Sequence, residues 1–315
     1  MDKKIRTAVF GVGSLGQHHA RVHAEHEMTD LIGVYDISKK RAKEIAKKFG
    51  CEAYTSVEEL AAQVDAASIA VPTDKHHEMA TKLLELGVNI LVEKPIAAST
   101  EEAEAIVHLA EEKDLILQVG HIERFNPVIK YIEKKINKPR FIEALRMSSF
   151  PPPRLGMLPR GTEVSVVLDL MIHDLDIILH IVNSPVVHIH AVGVPVLSKS
   201  EDIANVRLNF ENGTVANVTA SRVSREPLRK IRVFQEDGYL SLDYNNRKGV
   251  IIKKQAIGIS TKKIELPDCD QLTDEIDSFI RCVKEQSDPV VGGRPALDAL
   301  SLATQICECI KNNPS

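Results

Sequence analysis

Residues 5–36 read IRTAVFGVGSLGQHHARVHAEHEMTDLIGVYD, and their reading decides the first half of the fold. Ile5 to Phe10 is a short apolar, β-branched run. Gly11, Gly13 and Gly16 follow as G-x-G-x-x-G, a helical pattern covers Gln17 to Glu27, and Leu31 to Tyr35 predicts a second strand ending at Asp36. In a βαβ unit of this kind the glycines allow a tight turn, close approach of a pyrophosphate and close helix packing. The amide donors at the helix start, around Ser14 and Leu15, then face the phosphates. Asp36 stands 20 positions beyond Gly16. A carboxylate there accepts hydrogen bonds from the adenosine ribose hydroxyls and repels a 2′-phosphate, which favours NAD over NADP. Lys39, Lys40 and Arg41 are a basic run of the sort that sometimes holds that phosphate, but a solvated helix start is the preferred reading.

The same alternation continues outward. Helix is predicted from Ser38 to Phe49, strand from Ala66 to Val71 ahead of Pro72, helix from His76 to Leu86, and strand from Asn89 to Val92. Ser99 with Glu102 forms a capping box for a helix to Lys113, and a strand follows from Leu115 to Val119. Strands without polar alternation, each followed by a helix, require a parallel sheet covered on both faces. Beyond Gly120 the pattern changes. Asn126-Pro127 caps a helix to about Ile136, Phe141 to Met147 is a strand, and a proline-rich loop, FPPPRLGMLPRG, leads into one long helix. A strand series from Val186 to Ile257 follows, with a hairpin signal at Asn212-Gly213, and then two closing helices. The expected division is residues 1–122 and 123–315, an α/β domain followed by an α+β domain with a mostly antiparallel sheet.

Composition excludes several classes of function. With 315 residues, two domains are expected; 43% hydrophobic and 27% charged residues describe an ordinary globular chain. A net charge of -4 offers no field for a nucleic-acid backbone, and with no Trp and 4% aromatics a base-stacking platform lacks residues. Five cysteines without C-x-x-C spacing argue against a disulfide framework and a zinc site and fit a reducing cytoplasm. The most apolar segment, Val164 to Val182, is interrupted by Asp169, His173, Asp174, Asp176 and His180, too many ionisable groups for a bilayer span.

In that segment Ser165, Asp169, His173, Asp176 and His180 recur at helical spacing and place one polar stripe on an otherwise apolar helix. Buried His and Asp can simply satisfy one another; five such residues favour an active-site wall instead. Metal ligation lacks a third ligand cluster. The chemistry suggested is alcohol oxidation. Hydride leaves a carbinol carbon only as the hydroxyl proton departs, so a base must sit at the hydroxyl. His173 could be that base and Asp169 could orient it or hold a neighbouring hydroxyl. Lys94, in VEKP after a parallel strand, stands at the carboxyl edge where ligands of such sheets bind. A solvated surface lysine is the competing reading.

At these residues the chain resembles the Gfo/Idh/MocA family of sugar and cyclitol oxidoreductases, through GVGSLGQHHA, VPTDKHHEMA, LVEKPIA and LDLMIHDLD. The resemblance implies an N-terminal Rossmann domain and a C-terminal open-sheet domain for substrate and assembly, as a homodimer or homotetramer. It implies Lys94, Asp169 and His173 as catalytic residues, with a cis Lys94-Pro95 bond. It also implies cofactor contacts from Pro72, Thr73, His76, Glu93 and Lys94, beside Gly11, Gly13, Ser14, Leu15, Gly16 and Asp36. Thr73 stands where many members have Asn.

QVGHIERFNP and SVVLDLMIHDLDIIL are similar to a branch of this family that oxidises the 3-hydroxyl of UDP-N-acetylglucosamine. That reaction would make a 3-keto nucleotide sugar for a downstream aminotransferase. Arg124, Arg154 and Arg160 are then the candidate cations for the diphosphate, against the alternative of a basic surface loop. The alternatives to this reaction are dehydrogenation of a free sugar or cyclitol, a lyase or hydrolase using bound NAD for transient oxidation, and a non-catalytic NAD sensor.

Overall fold

Ser38, Ser56 and Ser99 each accept the N–H of the residue three positions on, and so start three helices where the chain leaves a strand or loop. Such local signals order the first half of the chain. The computed structural model describes residues 3–152, 161–162 and 164–312. From the N-terminus these form β1 (Ile5–Phe10), α1 (Gly16–Glu25), β2 (Thr29–Tyr35), α2 (Lys39–Phe49), β3 (Glu52–Tyr54), α3 (Val57–Ala61), β4 (Ala66–Ile69), α4 (His76–Glu85), β5 (Asn89–Glu93), α5 (Thr100–Glu112) and β6 (Leu117–Gly120). The six strands pair in parallel in the order β3-β2-β1-β4-β5-β6. Strands β4 and β6 are buried along their whole length, as a sheet covered on both faces requires.

The second sheet is built differently. Its elements follow in chain order: α6 (Pro127–Glu133), β7 (Phe141–Met147), a π-helical turn (Val167–Met171) running into α7 (Ile172–Val182), β8 (Val186–Val194), β9 (Ile203–Phe210), β10 (Val215–Ser221), β11 (Leu228–Gln235), β12 (Gly238–Asp243), β13 (Lys248–Lys254) and β14 (Ile259–Glu265). The order is β14-β13-β12-β11-β7-β10-β9-β8, antiparallel at every pairing except β7 with β10. Ala204, Val206, Leu208 and Phe210 of β9 alternate inward with exposed or half-buried neighbours between them, the mark of a sheet with one covered face. Asn212-Gly213 makes the β9–β10 hairpin, with Gly213 at φ +83°.

Helices α8 (Gln271–Glu285) and α9 (Gly293–Asn312) close the chain. By its contacts the chain divides into one unit up to Phe125 that also takes Asp270–Leu297, and a second unit of Asn126–Cys269 with the residues from Asp298 on. The expected single block 123–315 differs from this because α8 is amphipathic toward the first sheet. Leu272, Ile276, Phe279, Ile280 and Val283 pack with Val22 of α1, Ala66 of β4 and Leu91 of β5.

Candidate active site

In the first unit the glycine loop is shaped by contacts that exclude side chains. Gly11 has φ +84°, and a Cβ there would lie 2.7 Å from the backbone nitrogen of Val71. A Cβ on Gly16 would collide with the Gly11 carbonyl. Gly13 is the reverse case: it is exposed, and a Cβ would meet no protein atom within 4 Å. Helix α1 begins beside it with no side-chain cap and no acidic residue in its first turn, next to exposed Ser14 and half-buried Leu15. The concavity is therefore left open at an N-terminus whose amides favour anions, which fits the pyrophosphate of a dinucleotide.

Asp36 stands at the end of β2, where its Oδ2 accepts the Val12 N–H at 2.9 Å and its Oδ1 the Ser38 N–H at 2.8 Å. The carboxylate thus ties the glycine loop to the second strand while each oxygen keeps a lone pair for a ribose hydroxyl. Arg41 is drawn to the same loop, donating to the Val12 carbonyl at 2.8 Å and the Gln17 amide oxygen at 3.0 Å.

Pro72 is exposed and Thr73 half-buried at the head of a short turn after β4. His76 is 1% exposed, with one ring nitrogen 2.8 Å from the Pro95 carbonyl and the other 3.0 Å from the Val71 carbonyl. Burial holds this imidazole below its usual range. It is therefore neutral near pH 7, donates to one carbonyl only, and braces two loops. Lys94 follows β5, half-buried, and the Lys94-Pro95 bond is cis.

Glu93 sits at the end of β5, its Oε1 2.9 Å from Nε2 of the fully buried His19 on α1. Burial pushes this carboxyl up, but the His19 hydrogen bond and the neighbouring charges, Lys94 among them, outweigh it and hold it low. The sequence reading missed Glu275 entirely. It is 0% exposed on the apolar face of α8, and neither carboxyl oxygen has a hydrogen-bond partner among the described residues. Burial, aided by the charge on Glu93, raises it well above the carboxylate range, the opposite direction from Glu93 itself. A lone Glu in an apolar stripe, L-x-x-E-I-x-x-F, was the available signal. His23, hydrogen-bonded to Ser68 Oγ at 2.9 Å, is pushed down to about 3 by burial and by the neighbouring imidazoles of His19 and His26.

Arg124 is 5% exposed and donates to the Val290 carbonyl at 3.4 Å. Arg154 and Arg160 lie outside the described residues.

In the second unit the polar stripe is not one line. The π-helical turn at Val167–Met171 inserts a wider turn before α7 and shifts the phase of the residues after it. Asp169 and His173 are half-buried, Ser165 and Asp176 are buried, and the exposed His180 pairs with Glu133 at 2.8 Å. Asp174, outside the expected stripe, forms a buried two-bond pair with Arg146 of β7 at 2.6 and 3.1 Å, and the Arg146 guanidinium lies over the Tyr244 ring. Among the described residues no cluster of three or more His, Cys, Asp or Glu could hold a metal, and no helix is long and apolar enough to cross a membrane.

A parallel sheet with an open glycine cradle and a buttressed acid after the second strand defines a nucleotide-dependent oxidoreductase class. Family models match at residues 5–121 (oxidoreductase family, NAD-binding Rossmann fold) and at residues 132–241 (the GFO/IDH/MocA C-terminal domain). The chain belongs to the Gfo/Idh/MocA oxidoreductases, and its cofactor is NAD. It is 37% identical over 309 residues to a UDP-N-acetylglucosamine 3-dehydrogenase of Acidithiobacillus ferrooxidans, covering 96% of each chain. A solved structure of that enzyme superposes with a TM-score of 0.91 over 99% of both chains at 36% identity. Identity to the scyllo-inositol 2-dehydrogenase (NAD(+)) of Bacillus subtilis is 30% over 241 residues, covering 71% of this chain and 69% of that one. Levoglucosan dehydrogenase in complex with NADH shares the fold, at a TM-score of 0.89 and 17% identity.

Proposed function

We propose that this dehydrogenase oxidises the 3-hydroxyl of UDP-N-acetylglucosamine to the 3-keto nucleotide sugar. The observation that carries the reading is the 37% identity, over 96% of both chains, to an enzyme of that name. NAD, when bound, supplies the hydride acceptor, held by the open loop at Gly11, Gly13 and Gly16 with Asp36 at its ribose. The protein's part is the proton and the orientation. His173 takes the proton of the reacting hydroxyl, because an imidazole changes charge near neutral pH. Asp169 accepts hydrogen bonds from neighbouring sugar hydroxyls and favours the imidazolium as it forms. Lys94 donates to the same oxygen as alkoxide character develops. Glu93, paired with His19, anchors the strand end from which Lys94 projects. Arg124, Arg154 and Arg160 are the candidate cations for the diphosphate.

The keto product is the kind of carbonyl an aminotransferase consumes, and the enzyme works as a homo-oligomer in the cytoplasm; five cysteines, an odd number without C-x-x-C spacing, suit that reducing compartment. The test is incubation with NAD and UDP-N-acetylglucosamine, the free amino sugar and inositols, with products weighed by mass spectrometry. A product two mass units below the nucleotide sugar is expected. Turnover of inositols alone would overturn the substrate.

A further inference from the structure

Arg222, just after β10, is the largest fully buried side chain among the described residues, and every one of its N–H bonds is used. Its Nε donates to Asp202 Oδ1 at 2.7 Å. One terminal nitrogen donates to the carbonyls of Gly161 and Val164 at 2.5 and 2.9 Å, and the other to the hydroxyls of Ser198 and Ser200, both at 2.9 Å. Asp202 is itself pinned, with Oδ2 accepting the N–H groups of Val196, Leu197 and Ser198. A charge pair satisfied in this way is rigid, and removing one member leaves the other buried without compensation.

The two carbonyls it grips belong to the chain that enters the π-helical turn. Val166 N–H is bonded to the Glu201 carbonyl at 3.0 Å and Val167 N–H to Ser165 Oγ at 3.2 Å, so the segment is held on both sides. Gly161 has φ +81°, and a Cβ on it would strike Asp169 Oδ2 and lie 2.9 Å from its Cγ. The carboxylate of Asp169 therefore rests against the bare α-carbon of Gly161.

We propose that Arg222, through Asp202 and Gly161, is a positioning residue: it presses the Gly161 α-carbon against Asp169 and sets the direction in which that carboxylate meets the sugar hydroxyls. The role of Asp169 rests on the function proposed above, whereas the contact itself can be tested without it. Gly213, at φ +83° with nothing within 4 Å of its would-be Cβ, is the control, because Ala there carries the same backbone strain and no collision.

The experiment is a thermal-unfolding cycle on the full chain with Gly161→Ala, Asp169→Ala and the double variant, beside Gly213→Ala and Arg222→Lys. Gly161→Ala should lower Tm more than Gly213→Ala, and the excess should vanish in the Asp169→Ala background. Equal losses at the two glycines, or an excess that survives Asp169→Ala, overturn the proposal whether or not the sugar is turned over. In kinetics, Gly161→Ala and Arg222→Lys should lower kcat/KM for the sugar at least tenfold with NAD affinity within twofold of wild type, while Gly213→Ala leaves both unchanged. Wild-type sugar affinity in Arg222→Lys also overturns it. A wild type inactive on every sugar, with the Tm coupling present, refutes the function and keeps the contact.

Discussion

The glycine loop of the first unit and the segment around Asp169 in the second solve the same problem in opposite ways. The loop presents backbone amides and open space. Gly13 contributes by having no side chain, and the supports at Asp36 and Arg41 come from within about thirty residues of it. The Asp169 segment presents side chains, and its supports are buried charges: Arg146 on Asp174, and Arg222, from a strand end far along the chain, on Gly161 and Val164. A site built of backbone is encoded locally and depends on a few glycines. A site built of side chains depends on a few buried charges and fails when one is removed.

The largest expected effect separates binding from chemistry. Lys94→Met and His173→Ala should each reduce turnover by about 10²–10⁴-fold, with NAD affinity nearly unchanged by fluorescence titration. Full activity in either would remove that residue from the proton transfer. Next in size is the buried pair. Asp174→Ala removes the two-bond partner of buried Arg146 and should cost about 3–5 kcal/mol in chemical denaturation, whereas Arg146→Met with Asp174→Leu together should recover most of it.

The third expectation concerns acid. His23 is held neutral, with its folded pKa lowered from 6.5 to about 3. As pH falls below 6.5 the unfolded chain takes up the proton first, so stability is lost progressively down to about 3, by on the order of 5 kcal/mol in all. His23→Gln should flatten that acid limb; an unchanged limb would show that other groups govern it. Smallest is Gly13→Ala, which should weaken NAD binding about tenfold while Tm stays within about 1 °C, since its Cβ meets only open space. A matching loss of Tm would mean that the loop is shaped by packing there, and the contrast with Gly11 would fall.

This contrast also explains what could be read beforehand. The order of β1, glycine loop, α1, β2 and Asp36 was legible because each step is a local pattern. Strand β14, ISTKKIE, was missed because it is an edge strand that buries only Ile264, and β3 because three residues carry no periodicity. The π-helical turn left no mark in an apolar stretch that reads equally well as a continuous helix. Arg222, Asp202 and Glu275 were invisible for a common reason: their meaning depends on partners that only the folded chain brings near.

The return of α8 to the first sheet has a consequence for biosynthesis. The ribosome delivers β1 to β6 early, yet Ala66 and Leu91 are covered by Ile276 and Phe279, which emerge only after the whole second sheet. Until then the nascent first unit carries an uncapped apolar face. A chain broken off anywhere before about residue 280 would leave the ribosome with a finished glycine loop and a surface that solicits chaperones or proteases.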